Sequence, residues 1–250
     1  MRLDGIVMEE PLAVVTGGGR GIGAAISKRL AKDGYRVLLT YHTSSTPAEQ
    51  VVGEIVEAGS DGFAFKVDCS DSKEVALLAD HPWVKDGVDV LVLNHGQYHR
   101  IKADELEVED LQQTMNVNFE GAFLVWKALA PLLTEKARMI VIGSQLGIRG
   151  SPHGADYSAS KGALHAWARS LAQTYAPEGK RVNVIAPGAI DTSILAGDSE
   201  EKRREREESV PMKRIGTPND IAGVASFLAS EDSAYITAAI IHVNGGQYLF

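Results

Sequence analysis

PLAVVTGGGRGIGAAISKRLAKDG, residues 11–34, decides the fold. It starts with four apolar residues at 12–15, too few for a helix and ending in two β-branched valines. Gly17, Gly21 and Gly23 then break the chain into a turn. Ile22, Ile26 and Leu30 follow at helical spacing, and Gly34 supplies the stop. Glycine tolerates positive φ and lets a ligand approach the backbone. The helix start presents unpaired N–H groups and the positive end of the helix dipole. The turn therefore reads as a cradle for a dinucleotide pyrophosphate, with Gly17, Gly21, Ile22 and Gly23 around it. A plain structural turn has the same pattern; the position right after the first strand favours the cradle.

The alternation continues outward. Apolar strands are predicted at 37–41, up to Asp68, at 88–93, in ARMIVIGS (137–144), in RVNVIAPG (181–188) and in AIIHVNGG (239–246). Helical segments lie between them. The longest runs over 107–133 with a break near Pro131, and the segment before the fourth strand predicts a truncated helix. Alternating helices and buried strands predict an α/β chain: a single-domain Rossmann fold over 1–250, with a doubly wound, mostly parallel seven-stranded sheet and helices on both faces. A closed barrel would need an eighth strand.

Composition narrows the function classes. The chain has 250 residues, 44% hydrophobic, enough for one continuous core. A formal net charge of −8 argues against nucleic acid as the main partner. Cys69 is the only cysteine, so no intrachain disulfide or thiolate cluster forms, and no metal is expected. The opening MRLDGIVMEEP lacks a signal peptide's apolar run, and no 18-residue apolar segment follows. A cytoplasmic protein without membrane contact is the expectation. GDSEEKRREREESVP, 197–211, reads as a solvated helix, and 189–211 as a flexible segment over a cleft.

The end of the second strand bears on which dinucleotide binds. A carboxylate there would accept from the adenosine ribose and repel a 2′-phosphate. The sequence instead has Tyr41, His42, Thr43, Ser44 and Ser45, and Arg20 in the glycine loop reaches the same side. This favours NADPH over NADH, with Arg20 and His42 at the phosphate. Asp68 is read equally as an acceptor for the adenine amino group or as a cap for the next turn.

The reacting groups come from DYSASKGALHAWARSLA, 156–172. Tyr157 and Lys161 stand four residues apart, on one helix face. A phenol titrates near 10, and a neighbouring cation favours its ionised form. Buried placement near Lys161 and a positively charged nicotinamide ring are together expected to lower the phenol's pKa, so that Tyr157 exchanges a proton with a substrate oxygen. Ser144, at the end of the fifth strand, donates to the same oxygen. A serine nucleophile would need glycines at 142 and 146, where Ile142 and Leu146 stand.

From Pro11 to Tyr248 the chain resembles the classical short-chain dehydrogenase/reductase family, and within it the β-ketoacyl-carrier-protein reductases. The family's T-G-x-x-x-G-x-G is matched by 16–23 and its Y-x-x-x-K by Tyr157 and Lys161; its active-site serine is matched by Ser144. The resemblance implies that Asn118 supports a proton-relay water and that Lys161 holds the nicotinamide ribose. It also implies that Asn94, Gly96, Pro187, Gly188, Ile190 and Thr192 line the cofactor site. Leu93 and His95 depart from the family's N-N-A-G, which puts local cofactor packing in question. Gln145 and His153 are expected on the substrate side with Ser144 and Tyr157. The implied activity is NADPH-dependent reduction of a ketone to a secondary alcohol, on a small or carrier-bound carbonyl substrate, by a homotetramer or homodimer. Two rivals are an NAD-dependent alcohol dehydrogenase and a cofactor sensor without turnover.

Overall fold

The computed structural model describes residues 10–193 and 195–248. The stretch read for a leader lies outside these apart from Glu10 and Pro11, as does Ile194 of the 189–211 segment. Seven strands form one sheet in the order β3-β2-β1-β4-β5-β6-β7. They are β1 (Leu12–Val15), β2 (Arg36–Tyr41), β3 (Gly62–Lys66), β4 (Val88–Leu93), β5 (Leu133–Ile142), β6 (Arg181–Pro187) and β7 (Ile240–Val243). Every pairing is parallel.

The helices are α1 (Gly21–Lys32), α2 (Ser45–Glu57), α3 (Ser72–Ala79), α4 (Pro82–Lys85), α5 (Val108–Met115), α6 (Gly121–Leu129), α7 (Leu146–Arg149), α8 (Ala155–Tyr175), α9 (Glu200–Ser209) and α10 (Pro218–Ala229). They cover both faces because the strands are apolar on both. In β1, Leu12 and Val14 join a core with Leu78, Val125, Leu129 and Leu164 of α3, α6 and α8. Ala13 and Val15 join the opposite core with Ile26, Leu30, Ile55 and Ile221 of α1, α2 and α10. Such two-sided burial removes β1 wholly from water and fixes its register.

The strand order reverses between β1 and β4, and an open parallel sheet binds its ligands outside the strand ends at that point. Asn94 fastens this point. Its Nδ2 donates to the carbonyls of Thr16 at 3.0 Å and Gly17 at 3.1 Å, and its N–H donates to Thr16 Oγ1 at 2.9 Å.

Two elements differ from the sequence reading. The run at 107–133 breaks near Pro131 as expected, where α6 gives way to a 3₁₀ turn at Ala130–Leu132, but it is also interrupted earlier. A π-helical turn, Asn116–Glu120, separates α5 from α6, and β5 already begins at Leu133. The turn is closed by the Gly121 N–H donating to the Asn116 carbonyl, five residues back. Asn118 drives the distortion: its Oδ1 accepts from the Gln97 N–H at 2.8 Å, and its Nδ2 donates to the Gln97 carbonyl and to Ser160 Oγ, each at 3.0 Å. The longest helix is instead α8, 21 residues. Before β4 the helix is truncated, as expected: α3 ends at Ala79, and Pro82 starts the single turn of α4.

Candidate active site

A cleft of about 730 Å³ runs along the carboxyl ends of the strands, from the glycine loop to Ser144 and Tyr157. At one end the chain turns at Gly17 (φ +61°) and Gly21 (φ +52°), where a side chain would be strained. Arg20, the residue before α1, makes no side-chain cap, and no acidic residue sits in the first turn. The helix's first N–H groups thus face the cleft without a carboxylate or hydroxyl already on them, which suits an anion. The loop, its helix and the cleft fit a dinucleotide pyrophosphate.

Beyond the loop, the cleft is lined by Tyr41, His42, Thr43 and Ser44 with Arg20. Among the described residues, the only carboxylate in its lining is Asp68. Burial raises that carboxyl's pKa, but hydrogen bonds from Ser70 and the nearby His42 outweigh it and hold the group below its ordinary value. Asp68 Oδ1 accepts from the Ser70 N–H at 2.9 Å and hydroxyl at 2.7 Å; Oδ2 lies 3.6 Å from His42 Nε2. The turn-capping reading of Asp68 is thus realised, with one oxygen still toward the cleft.

At the switch point Leu93 is buried in the core. His95 packs rather than faces solvent, with Nδ1 2.8 Å from Thr16 Oγ1. Burial and the Lys161 charge hold its pKa down to about 4, so the ring is neutral.

The reacting end is assembled from β5, α7 and α8. Ser144 follows β5, and its Oγ accepts the Leu146 N–H at 3.1 Å. That bond occupies a lone pair of the oxygen and not its proton, which remains a donor toward the cleft. The Ser144 N–H donates to His165 Nε2 at 3.3 Å, fixing the backbone that carries the hydroxyl. Tyr157 and Lys161 both line the cleft, with Lys161 Nζ 5.6 Å from the centroid of the Tyr157 ring. The ammonium donates to the Ile142 carbonyl at 2.8 Å and is 3% exposed.

The chain's own groups do not by themselves lower the phenol's pKa. Burial raises the Tyr157 phenol to about 12, and a hydrogen bond with Ser144 only partly offsets this. Burial also drops the Lys161 amine to about 8. Desolvation of each charged form outweighs what the chain's own groups return. Tyr157 is therefore held as the neutral phenol, the form that donates a proton.

All fifteen residues expected around the cofactor line this cleft, including Ile22, Gly96, Pro187, Gly188, Ile190 and Thr192. The Gly188 N–H donates to the Val243 carbonyl, and the Gln145 N–H to Pro187, tying the sixth strand's end to its neighbours. Gln145 lines the cleft, its Nε2 donating to Gln247 Oε1 at 2.7 Å. Two expected residues do not line it. Asn118 is fully buried with its amide engaged as described. His153 is exposed and lies outside the lining, which corrects its substrate-side placement. Tyr98 stands there instead. Its ring centroid lies 4.7 Å from that of Tyr157, and its hydroxyl donates to the His153 carbonyl at 2.9 Å.

Tyr98, Gln247, Arg100, Arg149 and Arg206 all line the cleft and were not singled out from sequence. Only Tyr98 carried a usable signal, two residues beyond Gly96 at a strand's carboxyl end. The 189–211 segment contributes Thr192, Ser193, Leu195 and Arg206 to the cleft lining. It is pinned by an isolated parallel bridge between Ile190 and Gly216. Asp198 pins it further, accepting from Arg100 and Arg206.

Residues 17–247 match a family model described as Enoyl-(Acyl carrier protein) reductase. The chain belongs to the short-chain dehydrogenase/reductase family. It is 35% identical over 240 residues to the 3-oxoacyl-[acyl-carrier-protein] reductase FabG of Staphylococcus aureus, covering 95% of this chain and 98% of the relative. It is 38% identical over 238 residues to the 3-oxoacyl-[acyl-carrier-protein] reductase MabA of Mycobacterium tuberculosis, covering 94% and 91%. A short-chain dehydrogenase from Burkholderia cenocepacia, solved in complex with NADP, superposes with a TM-score of 0.89 at 33% identity, covering 95% of this chain and 97% of that one. Membership makes this short-chain dehydrogenase/reductase an NAD(P)(H)-linked oxidoreductase. None of the helices among its described residues is long and apolar enough to cross a membrane.

Proposed function

We propose that this short-chain dehydrogenase/reductase reduces a ketone to a secondary alcohol with NADPH. The observation that carries the reading is one cleft holding the glycine loop with Arg20 at one end and Ser144, Tyr157 and Lys161 at the other. The bound nicotinamide supplies the hydride.

The chain's own residues do the rest. The Ser144 hydroxyl, its oxygen already accepting from Leu146, donates to the substrate oxygen and stabilises the charge growing there. The neutral Tyr157 phenol passes its proton to that oxygen as the carbinol forms. Lys161 places an ammonium beside the phenolate left behind and would hold the nicotinamide ribose hydroxyls. Asn118 shapes the π turn against Gln97 and Ser160 as a positioning residue, and a relay water beside it returns the proton. Exposed Leu111 on α5, and exposed Phe123 packed on Trp126 and Trp167, support self-association through α5, α6 and α8 as a dimer or tetramer.

NADPH consumption across ketones, acyl thioesters, quinones and keto-sugars tests the reading. Oxidation of NADPH by at least one ketone is expected; none across the panel contradicts it. Arg20→Ala tests the cofactor choice. A charge-assisted bond to the 2′-phosphate is worth about 1.5–3 kcal/mol, so KM for NADPH rises about 10- to 100-fold while KM for NADH stays near its starting value. An equal change for both cofactors would place Arg20 elsewhere.

The pH profile has a definite sign. The Lys161 ammonium, pushed down to about 8, is charged below that pH and lost above it. Tyr157, pushed up to about 12, stays protonated throughout. kcat/KM for reduction should therefore fall about tenfold per pH unit above about 8, the limb belonging to the lysine. A flat profile to pH 10 contradicts the assignment.

A further inference from the structure

The substrate end of the cleft has a chemistry that the reduction reading leaves unused. Among the described residues the lining holds four permanent cations, Arg20, Arg100, Arg149 and Arg206, and the titratable Lys161, against one carboxylate, Asp68. The chain as a whole carries −8. A cationic cleft in an acidic protein concentrates and steers anions. Arg20 belongs to the glycine loop and Lys161 to the reacting centre. The other three come from segments that follow Tyr98 and Ser144 or cross the cleft from 189–211. Arg149 ends α7, the single turn that starts two residues after Ser144. Arg100 lies two residues beyond Tyr98, whose ring packs against Tyr157.

Part of this charge is internally paired. The nearly buried Asp198 carboxylate accepts from Arg100 at 2.9 Å and from Arg206, and Lys202 stands 3.8 Å away. Burial raises its pKa, but the bonds from Arg206 and Arg100 prevail and hold it at about 2, so it remains one fixed anion. One carboxylate faces three cations, and the surplus is positive. Arg149 adds a further charge; its guanidinium has no hydrogen-bond or ion-pair partner among the described residues, and it is exposed. The walls here are polar as well: Gln97, Gln113, Gln145, Gln247 and Ser151 line the cleft. Tyr98, Val117, Ile142, Leu146, Ile190 and Leu195 are interspersed with these polar groups, so no continuous polar-free wall is set aside for a long acyl chain.

We infer that the ketone is a small hydrophilic compound whose non-reacting end carries a carboxylate or phosphate, gripped by Arg149 beside the Arg100–Asp198–Arg206 cluster. The inference rests on the reductase reading for the position of the reacting carbonyl. Guanidinium matches both oxyanions in planar, two-pronged geometry, so the shared chemistry is an oxyanion two to several atoms from the carbonyl.

The test compares matched probes with NADPH: a hydroxylated keto acid and its methyl ester, dihydroxyacetone phosphate and dihydroxyacetone, and a neutral 3-oxoacyl thioester. In the parent protein the anionic member of at least one pair should have a kcat/KM about tenfold or more above its neutral partner. The pair that shows it identifies carboxylate or phosphate. Arg149→Gln should collapse that ratio toward one, mainly through KM, and Arg149→Lys should keep part of it. A ratio near one in the parent, a ratio unmoved by Arg149→Gln, or a thioester preferred over every anion overturns the inference. Thermal protection by the same probes gives a readout independent of turnover. Protection by an anion that depends on Arg149, with no NADPH oxidised on any probe, supports this inference and overturns the reductase reading. Absence of anion-specific protection together with reduction of neutral ketones does the reverse.

Discussion

Tyr157→Phe should lower kcat for ketone reduction about 10²- to 10⁴-fold, the range general acid catalysis supplies. The phenylalanine keeps the ring that packs against Tyr98 at 4.7 Å, so the cleft wall remains. NADPH affinity should change less than about tenfold, because at most one neutral hydrogen bond is lost. The neutral phenol makes the prediction sharp: burial holds its pKa at about 12, so the proton removed by the substitution is the one the reaction uses. Rate measurements at saturating ketone, paired with fluorescence titration of NADPH, separate the two effects. A variant that turns over like its parent would remove Tyr157 from the chemistry. A variant that no longer binds NADPH would make its role one of binding.

Gly23→Ala should be nearly as damaging, at the other end of the cleft. A Cβ at position 23 would lie 2.2 Å from the Gly17 carbonyl oxygen and 2.5 Å from Asn94 Nδ2. Both atoms belong to the clamp that joins the glycine loop to the end of β4. The obstacle on one side is backbone, so no rotamer relieves it and the loop itself must shift. Overpacking of this kind costs about 1–3 kcal/mol of stability. The larger effect falls on the cofactor, since a displacement of about 1 Å in a positioning loop costs about 10²-fold in function. NADPH affinity by titration and melting temperature by calorimetry should both fall. An alanine variant with parental affinity would mean that the loop does not touch the pyrophosphate.

Much of the architecture was legible because its causes are local. The strand–glycine–helix opening at 11–34, the doubly apolar strands and the i,i+4 pair of Tyr157 and Lys161 all follow from spacing. The π turn was not legible, because helical periodicity runs through it unbroken. It exists because Asn118 reaches the backbone of Gln97, 21 residues away, and that partner is known only in the fold. His153 misled for a related reason: sequence nearness to Tyr157 placed it at the site, while Tyr98 arrives there from another strand's end. Sequence showed the cation four residues from the phenol, but not that burial outweighs it among the chain's own groups. The cationic substrate end was hidden in the same way. Arg100, Arg149 and Arg206 are scattered over more than a hundred positions, and only the switch-point geometry gathers them into one wall.

Isotope tracing tests the central claim most directly. The ketone most active with NADPH is reduced with cofactor bearing deuterium at the transferable C4 position, in ordinary water. The account predicts one deuterium on the carbinol carbon of the alcohol, and the same transfer, much slowed, with Tyr157→Phe. Deuterium absent from that carbon, or transfer as fast in the phenylalanine variant as in the parent, would contradict it.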